Sequence, residues 1–466
     1  MSRTLATFCL IFLILAAPTL QFLQPLTKRH LREKPFLALA FVGEKSTGKS
    51  STLGRLLAEL SPQPHFSQTL QDAESAGKGD SKYAWLVDTS QEEREAGETQ
   101  TLHKVFLEGQ AKRFVVKDVP GGLEKEALAA AATSNGLVIF IDSSNFDNFK
   151  SENLDDYNLV MKGYEIKRLI FAVNILDKDQ SQFNRIVETT KEYVSRRIKL
   201  RVDSVSIVAI NSYTGENINT RSTADQGLSW YKGPTLIEAM DALTEESLSK
   251  QQSNSLRLAV DTVRFTSGVG TVLDVINLFG TANMGDNVKV CPSLKSSQLK
   301  SFVEPSPVDE RTLETGRYGS IVIKTLSATN GDVIPGSIIS PTSSERCRLI
   351  ESTTAQIEFS GRADFINRGE EMVMHVHNAA YSITLETIKE TLDKRTLKVT
   401  NSYDDSHGGA STVRGDAVIN GIIKLGEPAT FEQSNEYPSL GRFILTKDGQ
   451  IVGFGKTKSI TYAYKD

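Results

Sequence analysis

Cysteine is scarce in this 466-residue chain: Cys9, Cys291 and Cys347 are widely spaced and show no metal-ligand spacing. That excludes a disulfide framework and a cysteine-ligated zinc or iron–sulfur centre. Cys9 lies in an apolar N-terminal segment, so at most one bridge remains once that segment is removed, and packed thiols are expected. A surplus of either charge is missing as well. With 53 Lys and Arg against 57 Asp and Glu the net charge is −4, so no global basic field draws the chain to nucleic acid, and any such contact is a local patch. No Asn-x-Ser/Thr sequon, internal repeat or low-complexity tract stands out.

Long hydrophobic runs are confined to the N-terminus, where Leu5 to Leu23 is almost uncharged and Phe8 to Ala17 has the character of a signal-peptide apolar core behind Arg3. Pro18 and the lack of a clean small-x-small site weaken cleavage, and the run is nearly long enough to span a bilayer. Residues 1–34 are therefore expected to be a signal peptide or a membrane anchor plus a basic linker. Lys28, Arg29, Arg32 and Lys34 outnumber Arg3, so an uncleaved anchor would keep the body in the cytoplasm by the positive-inside rule. A cleaved signal would place it in the secretory pathway.

The length predicts about three domains. From Pro35 to Leu248, strand-like apolar runs (Phe36–Val42, Arg113–Lys117, Gly136–Asp142, Arg168–Val173, Val205–Ile210) alternate with helical segments, which implies a mostly parallel sheet with helices on both faces. A polar stretch over 249–255 has the composition of a linker. Beyond it, short β-rich segments between turn residues suggest two β-barrels, 256–341 and 342–466, with a helical interruption from Ser382 to Leu392 in the second.

Residues Gly43-Glu44-Lys45-Ser46-Thr47-Gly48-Lys49-Ser50 match GxxxxGKS between the first strand and a helix from Ser51 to Leu60. Each residue type has a chemical reason: glycines let backbone N–H groups turn toward phosphate oxygens, Lys49 neutralises β/γ charge, and Ser50 offers a hydroxyl to Mg²⁺. Asp118-Val119-Pro120-Gly121 closes a later strand as DxPG, placing a carboxylate toward Mg²⁺ and the Gly121 N–H toward a γ-phosphate. Asn174 and Asp177 match the outer positions of the guanine-reading NKxD pattern, in which the Asp accepts from the purine N1 and N2 donors. Asn211-Ser212 ends another strand, where a backbone N–H could meet guanine O6. The expected nucleotide contacts are thus Gly43 to Ser51, Gly121, Asn174, Asp177, Asn211 and Ser212, with GTP or GDP and Mg²⁺ as cofactors.

From about Pro35 to the C-terminus the chain resembles elongation factor 1-alpha and its relatives, the release-factor and ribosome-rescue GTPases. Lys82-Tyr83-Ala84-Trp85 and Glu93-Arg94-Glu95-Ala96-Gly97-Glu98-Thr99 are similar to the family's KYAW and ERERGIT segments, Gly268 to Val272 to its GxGTV strand, and Tyr437 to Phe443 to its YPPLGRF. The resemblance implies a P-loop GTPase domain followed by two β-barrels, a monomer, and Mg²⁺ held by Ser50, Thr99 and Asp118. It also implies the ribosome, tRNA or a protein factor as partners of the barrels.

Departures from the family pattern are equally specific. Gly122 stands where the family has the His that orients the attacking water, so no residue is assigned as catalytic and weak hydrolysis is expected. Ile175 replaces the NKxD lysine, Lys45 and Glu44 replace an HV pair, and Ser46 replaces an aspartate. Val275 to Gly280 replaces GRVETG, so a surface that holds the aminoacyl end of tRNA in the family is apolar here, which argues against tRNA delivery. Phe279, Leu278 and Ile276 read as packing residues rather than a ligand pocket, His375 and His377 as packed residues rather than metal ligands, and Glu92, Glu93 and Glu95, apart from the resemblance, as a solvated helix face. Three functions follow: a GTP-binding protein that hydrolyses poorly, an active elongation or rescue GTPase, or a nucleotide-independent scaffold at a membrane or in the secretory pathway.

Overall fold

The structure, a computed structural model, describes residues 34–464 apart from 153, 178, 245–254, 304–310, 328–329, 344–345 and 404–408. The apolar segment 5–23 and nearly all of the 249–255 linker lie outside the described residues. Among the described residues no helix is long and apolar enough to cross a membrane.

Phe36–Gly43 forms β1, and its continuous apolar run marks a strand covered on both faces. It is flanked in a six-stranded sheet of order β2-β3-β1-β4-β5-β6, made of β2 (His103–Glu108), β3 (Arg113–Asp118), β4 (Gly136–Asp142), β5 (Leu169–Asn174) and β6 (Ser206–Ile210). Only β2 runs antiparallel, in a hairpin with β3. Alternate residues face opposite sides. Val42, Ile139 and Val173 meet α4 (Lys125–Ala132), α6 (Leu154–Tyr164) and α7 (Gln180–Tyr193) on one side, whereas Leu39, Phe41 and Val138 meet α1 (Lys49–Leu60) and α8 (Leu236–Ala242) on the other. Helix α5 (Phe146–Glu152) joins the first side through Phe146 and Phe149, while α2 (Phe66–Ser75) and α3 (Gln91–Ala96) lie in the segment between α1 and β2. Strand order reverses beside β1, and in such sheets a crevice opens beyond the carboxyl ends of the strands at that point.

The first barrel is closed by β10-β11-β13-β8-β7-β14, where β7 is Arg257–Thr266, β8 Gly270–Phe279, β10 Asn287–Cys291, β11 Lys295–Val303, β13 Tyr318–Ile323 and β14 Ile338–Pro341. The short β9 (Ala282–Asn283) and β12 (Thr312–Leu313) pair beside it. The packed thiols expected from the sequence are instead a Cys291–Cys347 disulfide. Its cause is tertiary: β14 pairs with β10 so that Ile338 lies opposite Cys291, and the Cys347 N–H donates to Ser340 Oγ on that strand.

The second barrel uses β15 (Ile350–Phe359), β17 (Glu371–Val376), β18 (Ala379–Leu392), β21 (Val418–Ala429), β22 (Arg442–Lys447) and β23 (Gln450–Tyr462), closed by a β17–β18 pairing, with β19 (Val399–Ser402) outside. The small β16 (Phe365–Asn367) and β20 (Thr412–Arg414) pair separately. The helical interruption expected over Ser382–Leu392 is part of the long strand β18. Two irregularities in its pairing with β21, between Leu385 and Thr387 and between Ile388 and Glu390, add residues to one side. They stretch the apolar spacing at Ile383, Leu385, Ile388 and Leu392 from a strand's period toward a helix's.

Phe36–Asp466 is one compact unit, and two contacts explain why. Helix α6 lies on β22 and β23, where a Cβ at Gly163 would sit 2.2 Å from Ile444 Cδ1, so the glycine lets the helix pack closely without moving that side chain. Arg442 pairs with Glu165 there at 2.6 Å. At a second junction, Lys117 from β3 is fully buried and meets Asp261 Oδ2 of β7 at 3.1 Å, with Lys104 of β2 at 2.8 Å from the same oxygen. Tyr318 O–H donates to that oxygen at 2.9 Å, and Asn378 of the second barrel donates to the Asp261 carbonyl at 2.7 Å.

The stretch Val275–Phe279 is packing: Val275, Ile276, Asn277 and Phe279 are buried, and Phe279 sets its ring edge-on against Tyr437 at 4.9 Å. Val275 therefore packs inside the first barrel and Ile276 and Phe279 at its junction with the other domains, not on an open face. His375 and His377 are also buried, and burial pulls their imidazoles down to about 4 and about 3.

Candidate functional site

The phosphate-loop residues form a turn from the end of β1 into α1, and Gly48 is required there twice over. Its φ is +91°, and a Cβ would meet Ser212 Oγ at 2.6 Å and Asn174 Nδ2 at 2.8 Å. Lys49 Nζ donates to the carbonyls of Gly43 (3.0 Å) and Glu44 (2.8 Å), which fixes the ammonium inside the loop. Burial holds that ammonium below the ordinary lysine range, and the Asp118 carboxylate opposes the shift. Thr47 Oγ1 closes the turn on the Glu44 carbonyl at 3.0 Å.

A cavity of about 670 Å³ opens over this loop. Residues 45–51 line it together with Thr99, Gly121, Asn174, Asn211 and Ser212, which arrive at the carboxyl ends of different strands or from the segment before β2. Thr99 Oγ1 donates to Asp88 Oδ1 at 2.9 Å, so its single hydrogen is used and Ser50 donates across the 2.7 Å contact to Thr99 Oγ1. Behind them Asp118 is fully buried beside the Ser50 hydroxyl, and neither carboxylate oxygen makes a well-formed hydrogen bond. Burial pushes its carboxyl up to about 6, with Lys49 working the other way. A buried carboxylate beside the Ser50 hydroxyl, with Thr99 Oγ1 2.7 Å from that hydroxyl, is an all-oxygen donor set that suits a small hard divalent cation such as Mg²⁺.

Asn174 ties the site together: Nδ2 donates to the Thr47 carbonyl (3.2 Å) and Ser212 Oγ (3.0 Å), while Oδ1 accepts from the Ser212 N–H (2.9 Å). Asn211 is a turn former, accepting from the N–H groups of Tyr213 and Thr214 and donating to the Ile175 carbonyl. Asp177 is exposed just beyond Leu176, which lines the cavity. Ile175 itself is fully buried, so hydrocarbon fills the position of the family's lysine. Gly121 lies directly against Lys45, since a Cβ there would meet Lys45 N at 2.5 Å. Gly122, at φ +100°, has nothing within 4 Å of its own virtual Cβ.

Several participants are not legible as site residues in the sequence. Tyr213 and Leu176, both more than half exposed, line the cavity, and Arg55 holds the Tyr213 loop through the carbonyls of Ser212 and Tyr213 while lying 4.0 Å from the Tyr83 ring centre. Glu92 and Glu95 are solvated as expected, whereas Glu93 is buried. Its carboxylate accepts from the N–H groups of Gln100 (2.9 Å) and Thr101 (3.0 Å) and contacts His103 Nε2 at 2.9 Å. Burial opposes ionisation, yet these donors bring its carboxyl down to about 2. The Ser90-x-x-Glu93 spacing was the available signal, because Ser90 Oγ accepts from the Glu93 N–H as an N-cap.

Residues 34–249 match the family described as Elongation factor Tu GTP binding domain, and residues 352–458 match the GTP-eEF1A C-terminal domain-like family. An elongation factor 1-alpha from Methanospirillum hungatei is 30% identical over 434 residues, covering 91% of this chain and 97% of that protein. The chain belongs to the elongation factor 1-alpha family. Its relative from Ignicoccus hospitalis, also an elongation factor 1-alpha, is 28% identical over 91% of this chain and 96% of its own length. Among solved structures, the GTPase-like domain of Saccharomyces cerevisiae Ski7 bound to GTP superposes with a TM-score of 0.67 at 14% identity, covering 91% of this chain and 97% of that one. Translation elongation factor SelB from Methanococcus maripaludis, in complex with the GTP analogue GPPNHP, gives 0.61 at 14% identity over 92% and 80%. These two likenesses establish that the family fold extends over all three domains.

Proposed function

We propose that this elongation factor 1-alpha homologue binds Mg·GTP and GDP at the Gly43–Ser51 loop, hydrolyses GTP slowly by itself, and uses nucleotide state to set how its first domain sits on the barrels. The observation that carries this reading is the buried Asp118 carboxylate held beside Lys49 and Ser50, behind the loop that lines a cavity of about 670 Å³. Ser50, Thr99 and Asp118 would hold Mg²⁺, which would neutralise charge on the β- and γ-phosphates. Lys49 and the loop N–H groups orient the phosphate chain, and the carboxylate of Asp177 supplies preference for guanine. The family membership supports the translation apparatus as partner, through the barrels.

Base reading is tested by titrating GDP, IDP and ADP. Wild-type protein is expected to favour GDP over IDP by about tenfold or more, because IDP lacks the N2 donor and leaves an acceptor unpaired. Asp177→Ala is expected to erase that preference. Equal wild-type affinities for all three would remove the guanine assignment.

Slow hydrolysis is the second expectation. Gly122 can neither position nor polarise water, so single-turnover GTP hydrolysis should run about 10²-fold or more below that of a family member carrying His at this position, compared side by side. Equal rates would contradict it. Gly122→His is not a clean rescue, since φ +100° is a backbone conformation that disfavours any side chain.

A further inference from the structure

The cavity lining contains two cations, Lys49 and Lys45. Lys49 is buried within the loop, but Lys45 is 64% exposed and its Nζ reaches across the mouth to Glu98 Oε2 at 3.1 Å. Glu98 immediately precedes Thr99, which contacts Ser50 Oγ at 2.7 Å. One ion pair thus joins the phosphate loop to the switch segment. Both positions are departures: the family pattern has Val where Lys45 stands and Ile where Glu98 stands, so a charge pair has replaced an apolar pair on the side of the site where Gly122 has replaced His.

The root of Lys45 fixes which phosphate it serves. A Cβ built on Gly121 would meet Lys45 Cγ and N at 2.5 Å and Cα at 2.6 Å, so the lysine packs on the glycine whose N–H the DxPG reading assigns to the γ-phosphate. Its ammonium is therefore on the γ side of the cavity, away from the base end marked by Asn174 and Ser212. An exposed lysine–carboxylate pair contributes little stability, whereas a terminal phosphate offers more charge and stronger acceptors. Exchange of Glu98 for phosphate is then favourable.

Building on the proposed function, we infer that Lys45 is a second cation for the terminal phosphate, a triphosphate sensor that leaves Glu98 to bind the γ-phosphate while Thr99 stays available to Mg²⁺. GDP lacks that group and leaves the Lys45–Glu98 pair in place. The lysine discriminates between the two nucleotide states by the negative charge of the terminal phosphate.

The experiment titrates the full chain with Mg·GDP and with the slowly hydrolysed analogue Mg·GTPγS. Lys45→Ala is expected to weaken GTPγS about tenfold while GDP changes by less than about twofold. Glu98→Gln, at a solvent-exposed position, removes the competing carboxylate and is expected to raise the preference for GTPγS. Equal loss of both nucleotides in Lys45→Ala, or no loss of either, overturns the inference, as does a reduced GTPγS preference in Glu98→Gln. If the wild-type chain binds neither nucleotide, the proposed function falls and this inference with it.

Discussion

Asp261→Asn is expected to destabilise the protein by about 3–5 kcal/mol, because it keeps the shape of the side chain but removes the carboxylate that pairs with the buried Lys117 and the nearly buried Lys104. Lys117 has no solvent exposure and Asp261 3%, so water cannot take over the lost pairing. Burial alone would push the Asp261 carboxyl up, but Lys117 and Lys104 more than offset it and hold the group well below the usual carboxylate range. Burial likewise brings Lys117 down to about 8. The unfolded carboxyl takes up its proton near pH 3.9, above the folded value. Stability from Asp261 is therefore complete above that pH and lost as pH falls toward the folded value. Lys117 acts at the other end: between about pH 8 and 10.4 the unfolded chain binds more protons, and stability from this group rises with pH. Urea titrations from pH 3 upward, followed by the fluorescence of Trp85 and Trp230, should show a lower midpoint in Asp261→Asn and a flatter acid limb. An unchanged midpoint would mean that the cluster is solvated and does not bind the three domains together.

The other large effect is expected at Lys49. Lys49→Ala should weaken Mg·GDP and Mg·GTP about a hundredfold or more, since it deletes charge-assisted bonds worth about 1.5–3 kcal/mol each. It also removes the cation that opposes the rise of the Asp118 carboxyl, so that group should be driven higher still. Equilibrium binding of fluorescent GDP measures the first consequence. Affinity within a few-fold of wild type would place the phosphates elsewhere.

The sequence made the first domain legible for a physical reason: parallel strands buried on both faces read as unbroken apolar runs, and β1, β4 and β5 were each visible in that way. Order along the chain then put the phosphate loop, DxPG, Asn174 and Asn211 at the ends of β1, β3, β5 and β6, and the fold brings those ends to one edge of the sheet. Features that depend on tertiary register were not legible. The bulged strand β18 mimics helical spacing, and the Cys291–Cys347 bond depends on β10 lying beside β14. In a run of glutamates, two of which are solvated, only the Ser90-x-x-Glu93 spacing hints that Glu93 is set apart, and its burial among backbone donors is a tertiary feature. Val275–Phe279 looked like an altered binding surface because composition does not say which side of a barrel wall a residue faces.

At the site, the same distinction holds. Residue types sufficed for Lys49, Ser50 and Asp118, whose chemistry demands them. The Lys45–Glu98 pair spans 53 positions and became visible only when the loop and the switch segment met across the cavity.

The central claim is that the loop from Gly43 to Ser51, with its lysine and the buried Asp118 behind it, holds a guanosine phosphate. Calorimetric titration of the full chain with Mg·GDP and Mg·GTP tests it most directly. Saturable binding of one nucleotide per chain, abolished when Mg²⁺ is chelated or greatly weakened, is the predicted result. An absence of binding at millimolar nucleotide would contradict the account.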